Sequence, residues 1–119
     1  MLVVTAGLRG AFGWARGQRH HVPALTVPVA STAGAGDAVL GGVIAGLAAG
    51  LPFFSSAPGS LVERPLESAL DLGVYLASYA VTSPHTIPPE LGRDALRDFA
   101  GRLGLHFAPG LDRVLAEAA

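Results

Sequence analysis

Asp37 follows three residues with little or no side chain, Gly34, Ala35 and Gly36, and precedes a run from 38 to 62 that contains no charge. Glycine lets the backbone N–H groups of such a turn approach a ligand closely. If a helix starts here, its first N–H groups have no acceptor within the helix, and the helix dipole adds positive potential. That combination binds phosphate-like anions. A carboxylate in the first helical turn is favoured by the same dipole and stands beside the bound phosphoryl group. A base next to a phosphate is what phosphoryl transfer to a hydroxyl requires. On pattern alone a plainer account also fits: Ser31 or Thr32 caps the helix, and Asp37 merely complements its dipole.

The surrounding elements must hold this turn in place. Residues 2 to 5, LVVT, are apolar and β-branched and predict a short buried strand. A loop with Gly7 and Gly10 follows, then a strand over 11 to 16 and a polar turn, GQRH. Residues 21 to 30 carry Pro23 and Pro28. Proline cannot donate to a strand ladder, so this segment reads as an edge strand or an extended connection, and 11 to 30 as a hairpin. From Asp37 to Leu51 the residues predict a fully buried helix of about 14 residues. A loop over 52 to 64 leads to Pro65, which fits the first turn of a second helix. Leu66, Ala69, Leu70, Gly73, Val74, Ala77 and Val81 form its apolar face. SPHTIPP breaks it. A third helix is expected from about Glu90 to Leu103, with Arg93/Arg97 and Asp94/Asp98 at helical spacing, and LDRVLAEAA closes the chain as a short helix. The order is strand, hairpin, helices: an α/β arrangement whose sheet is thin for so many apolar helices.

The totals narrow the function. A chain of 119 residues is one domain at most. Its 8 basic residues are all Arg and its net charge is −1, so it lacks the basic surplus of a nucleic-acid-binding surface. It has no cysteine, which excludes disulfides and thiolate metal sites. Met1 to Gly10 lacks the basic region and long apolar run of a secretion signal, and the expected compartment is the cytoplasm. Hydrophobic residues make up 50%, charged residues 14%, and mean hydropathy is +0.47. A small domain needs polar residues to cover its large relative surface. The apolar excess therefore lies in a membrane or packs against further protein. The run 38 to 54 is shorter than the roughly 20 strongly apolar residues of a span, contains Pro52, and is rich in Gly and Ala, so no membrane role is expected. Gly42, Gly46 and Gly50 more simply allow close helix packing on a sheet. His20 and His21 face opposite sides of a strand, with His85 and His106 far off, so no metal site is expected. Trp14 reads as packing and Phe53/Phe54 as a loop anchor.

STAGAGDAVLGGVIAG, residues 31 to 46, resembles the C-terminal signature of the PfkB/ribokinase family of carbohydrate kinases. That signature typically reads Asp-Thr-Thr-Gly-Ala-Gly-Asp before a small-residue helix. Thr32, Gly34, Ala35, Gly36 and Asp37 match it; Ser31 and Ala33 depart from it. VTAGLRG, 4 to 10, is similar to the family's Val-Thr-x-Gly-x-x-Gly segment, and LESALDLGVYLASYAVTS is placed like the late helix that helps enclose adenine.

The resemblance implies the C-terminal part of a ribokinase-like three-layer α/β/α fold, with 1–119 as the C-terminal portion of a kinase domain and the N-terminal half absent. It implies ATP-dependent phosphoryl transfer to a hydroxyl of a sugar or nucleoside, with ATP and Mg²⁺ as cofactors. Asp37 would be the base that takes the acceptor's proton. The N–H groups of Gly34, Ala35, Gly36 and Asp37 would form the anion hole. Thr5, Gly7, Gly10, Thr32 and Val74 would line the nucleotide site. Ser31 lacks the carboxylate that often helps hold a monovalent cation, which argues against cation activation. The family often has an Asn in the late helix; this chain has none, Val74 or a neighbour stands there, and an altered or apolar adenine contact is implied. Family members are considerably longer, and their sugar pocket, lid and Mg²⁺-associated acids come largely from the N-terminal half. The isolated chain is therefore expected to be inactive, and to form a homo-oligomer or pair with the missing half. The alternative is a non-catalytic nucleotide- or phosphate-binding or partner fragment.

Overall fold

Arg16 and Gly17 both take positive φ, 52° and 75°. A two-residue turn of this hand matches the twist of antiparallel strands. It joins β2 (Ala11–Ala15) to β3 (Gln18–Val22), with Ala15 opposite Gln18. β1 (Leu2–Thr5) pairs antiparallel with the other edge of β2, Val4 opposite Phe12, so the sheet runs β1-β2-β3. The computed structural model describes residues 1–32, 34–57, 59–82 and 93–117. Residues 23 to 29 make no strand pairing and form the extended connection.

Successive strand residues point to opposite faces. On the inner face Ala11 and Val22 are buried, and Gly13 lies against Phe53, Phe54 and Leu70. On the outer face Leu2 and Val4 are 56% and 42% exposed. β1 is thus not the buried strand its composition predicts; Val3 alone of its residues packs, in part, on the core. No described element covers its outer side.

The next element, α1 (Ala35–Ala48), is also half-buried rather than fully buried. Val39, Gly42, Val43 and Gly46 face inward, while Leu40 and Ile44 are exposed. Its inner face meets α2 (Ala69–Ala80). A Cβ on Gly42 would lie 2.6 Å from Gly73 Cα, and one on Gly73 would lie 2.5 Å from the Val39 carbonyl oxygen. The glycines let two helix backbones touch, so the seam is helix on helix, not helix on sheet as expected.

α2 begins at Ala69, four residues after the expected Pro65. Ser68 caps it: its hydroxyl accepts from Asp71 N at 3.0 Å, and the Asp71 carboxylate accepts from Ser68 N at 3.0 Å. This reciprocal box satisfies two orphan donors of the first turn. Arg64 donates to both Asp71 oxygens at 2.8 Å, Glu67 N donates at 2.9 Å, and the Ser55 hydroxyl donates as well. Burial opposes the charge on Asp71, but Arg64, Ser55 and the two N–H groups outweigh it and hold its pKa below the ordinary value. Leu66 is drawn out of the helix into a parallel bridge with Phe107: Leu66 N donates to His106 O and Ala108 N to Leu66 O, both at 2.8 Å.

α3 (Arg93–Leu103) and α4 (Pro109–Glu117) complete the unit. The expected break at SPHTIPP and the expected helix start near Glu90 lie outside the described residues. Tyr75 on α2 donates its hydroxyl to the Leu96 carbonyl, and its ring packs on Phe99 with centroids 5.7 Å apart. Burial pushes the Tyr75 hydroxyl pKa up. Arg97 pairs with Asp112 at 2.8 Å, joining α3 to α4. The described residues thus form a small α/β unit, a three-stranded antiparallel sheet with four helices, whose core centres on α2.

Candidate active site

Gly34 caps α1 with φ 80°, a left-handed conformation that side chains resist. Neither Ser31 nor Thr32 holds the cap position. Ala38 N donates to Gly34 O at 2.9 Å, the first bond of the helix, and Ala35 N turns back to Thr32 O at 3.3 Å. The N–H groups of Gly36 and Asp37 lie in the first turn, where no acceptor exists within the helix. Asp37 is the third helical residue, and it is exposed.

Three other segments converge on this helix start. Thr5 ends β1 with its Oγ1 3.4 Å from where a Gly36 Cβ would stand. The turn after β1, a single 3-10 turn over Gly7–Arg9, closes at Gly10 with φ 91°. A Cβ on Gly10 would lie 2.0 Å from Val22 O, so glycine alone allows this turn to rest against the end of β3. The extended connection runs along α2. Leu25 N donates to Ser78 Oγ at 3.5 Å, and Ala30 N and Ser31 N donate to Val81 O at 2.7 and 3.2 Å.

Together these segments enclose a cavity of about 440 Å³. Thr5, Gly7 and Gly10 form one side, Thr32, Ala35 and Gly36 the end at α1, and Val74, Ala77, Ser78 and Val81 the α2 wall. The remaining wall is the connection from Ala24 to Val29. Among the described residues no ionisable side chain lines it. Seven residues singled out from the sequence therefore meet in one space: Thr5, Gly7, Gly10, Thr32, Ala35, Gly36 and Val74. Gly34 and Asp37 do not line it; Asp37 is exposed one residue beyond Gly36.

The sequence reading missed two walls. Ala77, Ser78 and Val81 follow Val74 at spacings of three, four and seven, which puts them on one side of a helix; that was the available signal. The 24–29 wall was readable only as extended.

Elsewhere, His20 stacks on Phe54 and His21 on Phe12, with centroids 4.0 and 4.2 Å apart, on opposite sides of β3. A second cavity, of about 420 Å³, lies beside Arg19, Phe54, Arg64 and Ser68. Arg64 there is bound to Asp71, Ser55 and the Gly59 and Pro65 carbonyls. Among the described residues, no three His, Cys, Asp or Glu side chains come together as metal ligands, and no helix is long and apolar enough to cross a membrane.

The family model described as pfkB family carbohydrate kinase matches residues 1–91. The chain belongs to the pfkB family of carbohydrate kinases. The matched region takes in the sheet, the cavity and the α1–α2 seam. Fructokinase from Escherichia coli is 36% identical over 83 residues, covering 70% of this chain and 25% of that protein. Fructokinase from Klebsiella pneumoniae is 49% identical over 53 residues, covering 44% of this chain and 17% of that protein. The chain thus spans a quarter or less of the length of these curated relatives.

Proposed function

We propose that this chain carries the nucleotide-binding and base-bearing part of a carbohydrate kinase, which moves a phosphoryl group from ATP to a sugar hydroxyl. The observation that carries the reading is the cavity that ends at the first turn of α1, with Asp37 exposed just beyond it. Its long walls are apolar and suit a flat base; its α1 end is made of small residues and helix N–H groups and suits phosphate. ATP, when bound, supplies the phosphoryl group. The N–H groups of Gly36 and Asp37 would then face the charge that grows on the transferred group, whereas the Ala35 N–H, expected in the same anion hole, is already held by Thr32 O. Asp37 accepts the proton of the attacking hydroxyl. Its exposure leaves it open to an acceptor that this chain does not enclose. The described residues gather no metal site, so no step is assigned to Mg²⁺ here. The two fructokinase relatives make fructose the first acceptor to test, with other sugars and nucleosides after it.

We also read residues 1–119 as the C-terminal portion of a kinase domain. The greater length of the relatives supports this. So does the outer face of the sheet, where exposed Leu2 and Val4 lie opposite Trp14 and Phe12. Burying such a face is favourable by about 25 cal/mol per Å². The isolated chain should therefore self-associate and lack turnover, unless the rest of a kinase covers that face and supplies the sugar pocket.

The test is an ADP-release assay with fructose, on the isolated chain and on a complete kinase containing it. The isolated chain should be silent and oligomeric by light scattering; a monomer with clear turnover would overturn the half-site reading. In the complete kinase, Asp37→Asn should lower kcat by about 10² to 10⁴ while ATP affinity holds. Near-normal turnover in that variant would remove Asp37 from its assigned role.

A further inference from the structure

The turn between β1 and β2 gives the cavity at α1 two of its lining residues, Gly7 and Gly10. Its own bonds set its shape: Arg9 N donates to Ala6 O at 3.0 Å, Gly10 N to Gly7 O at 3.1 Å, and Ala6 N to Gly10 O at 2.8 Å. Where the turn stands against the sheet is a separate matter, and a side chain of β3 bears on it. His21 Nε2 lies 2.6 Å from Arg9 O. A carbonyl oxygen only accepts, so Nε2 carries the proton and donates.

The His21 ring comes to that bond already oriented. It stacks on Phe12, its partner across the strand pair, with centroids 4.2 Å apart and planes within 9°. The strand is held on both sides of it: the His20 ring stacks on Phe54 at 4.0 Å, and Val22 is buried in the core. A donor fixed in advance loses little freedom when it bonds. That matters for a hydrogen bond at the surface, where water competes. The Arg9 carbonyl is thus tied to a strand that the core holds, and Gly7 and Gly10, which flank Arg9 in the turn, are held with it.

We propose that His21 is a positioning residue for nucleotide binding: acting through the Arg9 carbonyl, its Nε2–H holds the Gly7–Gly10 turn where that turn walls the cavity. The inference rests on the nucleotide reading above and adds a residue to it.

Two substitutions separate the bond from the stack. His21→Phe keeps a ring on Phe12 and removes the donor; His21→Gln removes the ring and keeps an N–H near the place of Nε2. Calorimetric titration of the 119-residue chain and both variants with Mg-ATP, with circular dichroism as the check on folding, tests the proposal. His21→Phe should weaken binding about three- to tenfold, the worth of one hydrogen bond, and His21→Gln should stay within about twofold of the unsubstituted chain. Loss in both variants, in His21→Gln alone or in neither overturns the proposal and leaves the nucleotide reading standing. Unfolding of His21→Phe would make the residue structural and overturns it too. No heat from the unsubstituted chain overturns the nucleotide reading, and the inference with it. A second readout needs no nucleotide: trypsin cleaves after arginine, and cleavage after Arg9 should be faster in His21→Phe than in His21→Gln, because an untied turn opens more often. Equal rates would overturn the tie.

Discussion

Asp37 and Asp71 hold the same place in two helices, the third residue of α1 and the third residue of α2, and their surroundings are opposite. Asp71 is fully buried, bound by Arg64, Ser55, the capping Ser68 and the Glu67 N–H. Asp37 is exposed, and its helix is capped by a glycine that has no side chain to offer. The dipole favours an acid at both positions. In α2 that acid is spent on fixing where the helix begins and on holding the 55–64 loop against it. In α1 the cap is left to backbone conformation, so the acid and the N–H groups of Gly36 and Asp37 receive no side-chain cap. An acid tied on every side stabilises a fold; an acid at the same helical position without such partners stays open to solvent, which is what the proposed base requires.

Breaking the buried side of this comparison should cost most. Asp71→Ala leaves Arg64, whose side chain is 9% exposed, without its counter-charge. Removing one partner of a buried pair destabilises by about 3–5 kcal/mol, measured by urea unfolding at fixed protein concentration. A loss below about 1 kcal/mol would show that the network is no more than a surface pair.

Acid sharpens the same point. Asp71 has its folded pKa below the ordinary 3.8. A depressed carboxylate adds stability that is present above the unfolded value and lost as pH falls through the folded one. Unfolding free energy should therefore drop as pH goes from about 5 to about 2, and less steeply in Asp71→Asn. Equal slopes in the two proteins would contradict the assigned shift.

The α1 side should respond through its backbone. Gly34→Ala forces a side chain into φ 80° and should cost about 1–2 kcal/mol. It should also weaken nucleotide binding, which a change in stability alone would not do in the folded fraction. The smallest effect is expected at Asp37 itself: Asp37→Asn should shift unfolding by no more than about 0.5 kcal/mol. A loss as large as that of Asp71→Ala would mean that Asp37 is a structural acid too, and the contrast between the helices would fail.

The amino-acid sequence by itself determined the features whose causes lie within a few residues. The hairpin turn, which sits at Arg16-Gly17 with Gln18 to His20 in β3 rather than at the expected GQRH, the glycine turn at 34 to 36 and the helix start that places Asp37 in a first turn are local conformational choices. Seven of the residues named from the sequence line one cavity, while Gly34 and Asp37 do not. Ser68-Ala-Leu-Asp71 is an equally local signal, a capping box, and it sets the start of α2 in preference to Pro65. Tertiary structure alone decided the rest, because burial depends on which distant surface arrives. LVVT is as apolar as a core strand, yet Leu2 and Val4 face outward, since no described element reaches them. Gly42 packs on Gly73 rather than on a sheet because α2, thirty residues on, brings a matching glycine. Leu66 leaves the helical face because Phe107 claims it from the far end of the chain. The apolar wall opposite the connection exists because Ser78 and Val81 pin that connection to α2, through bonds between residues roughly fifty positions apart.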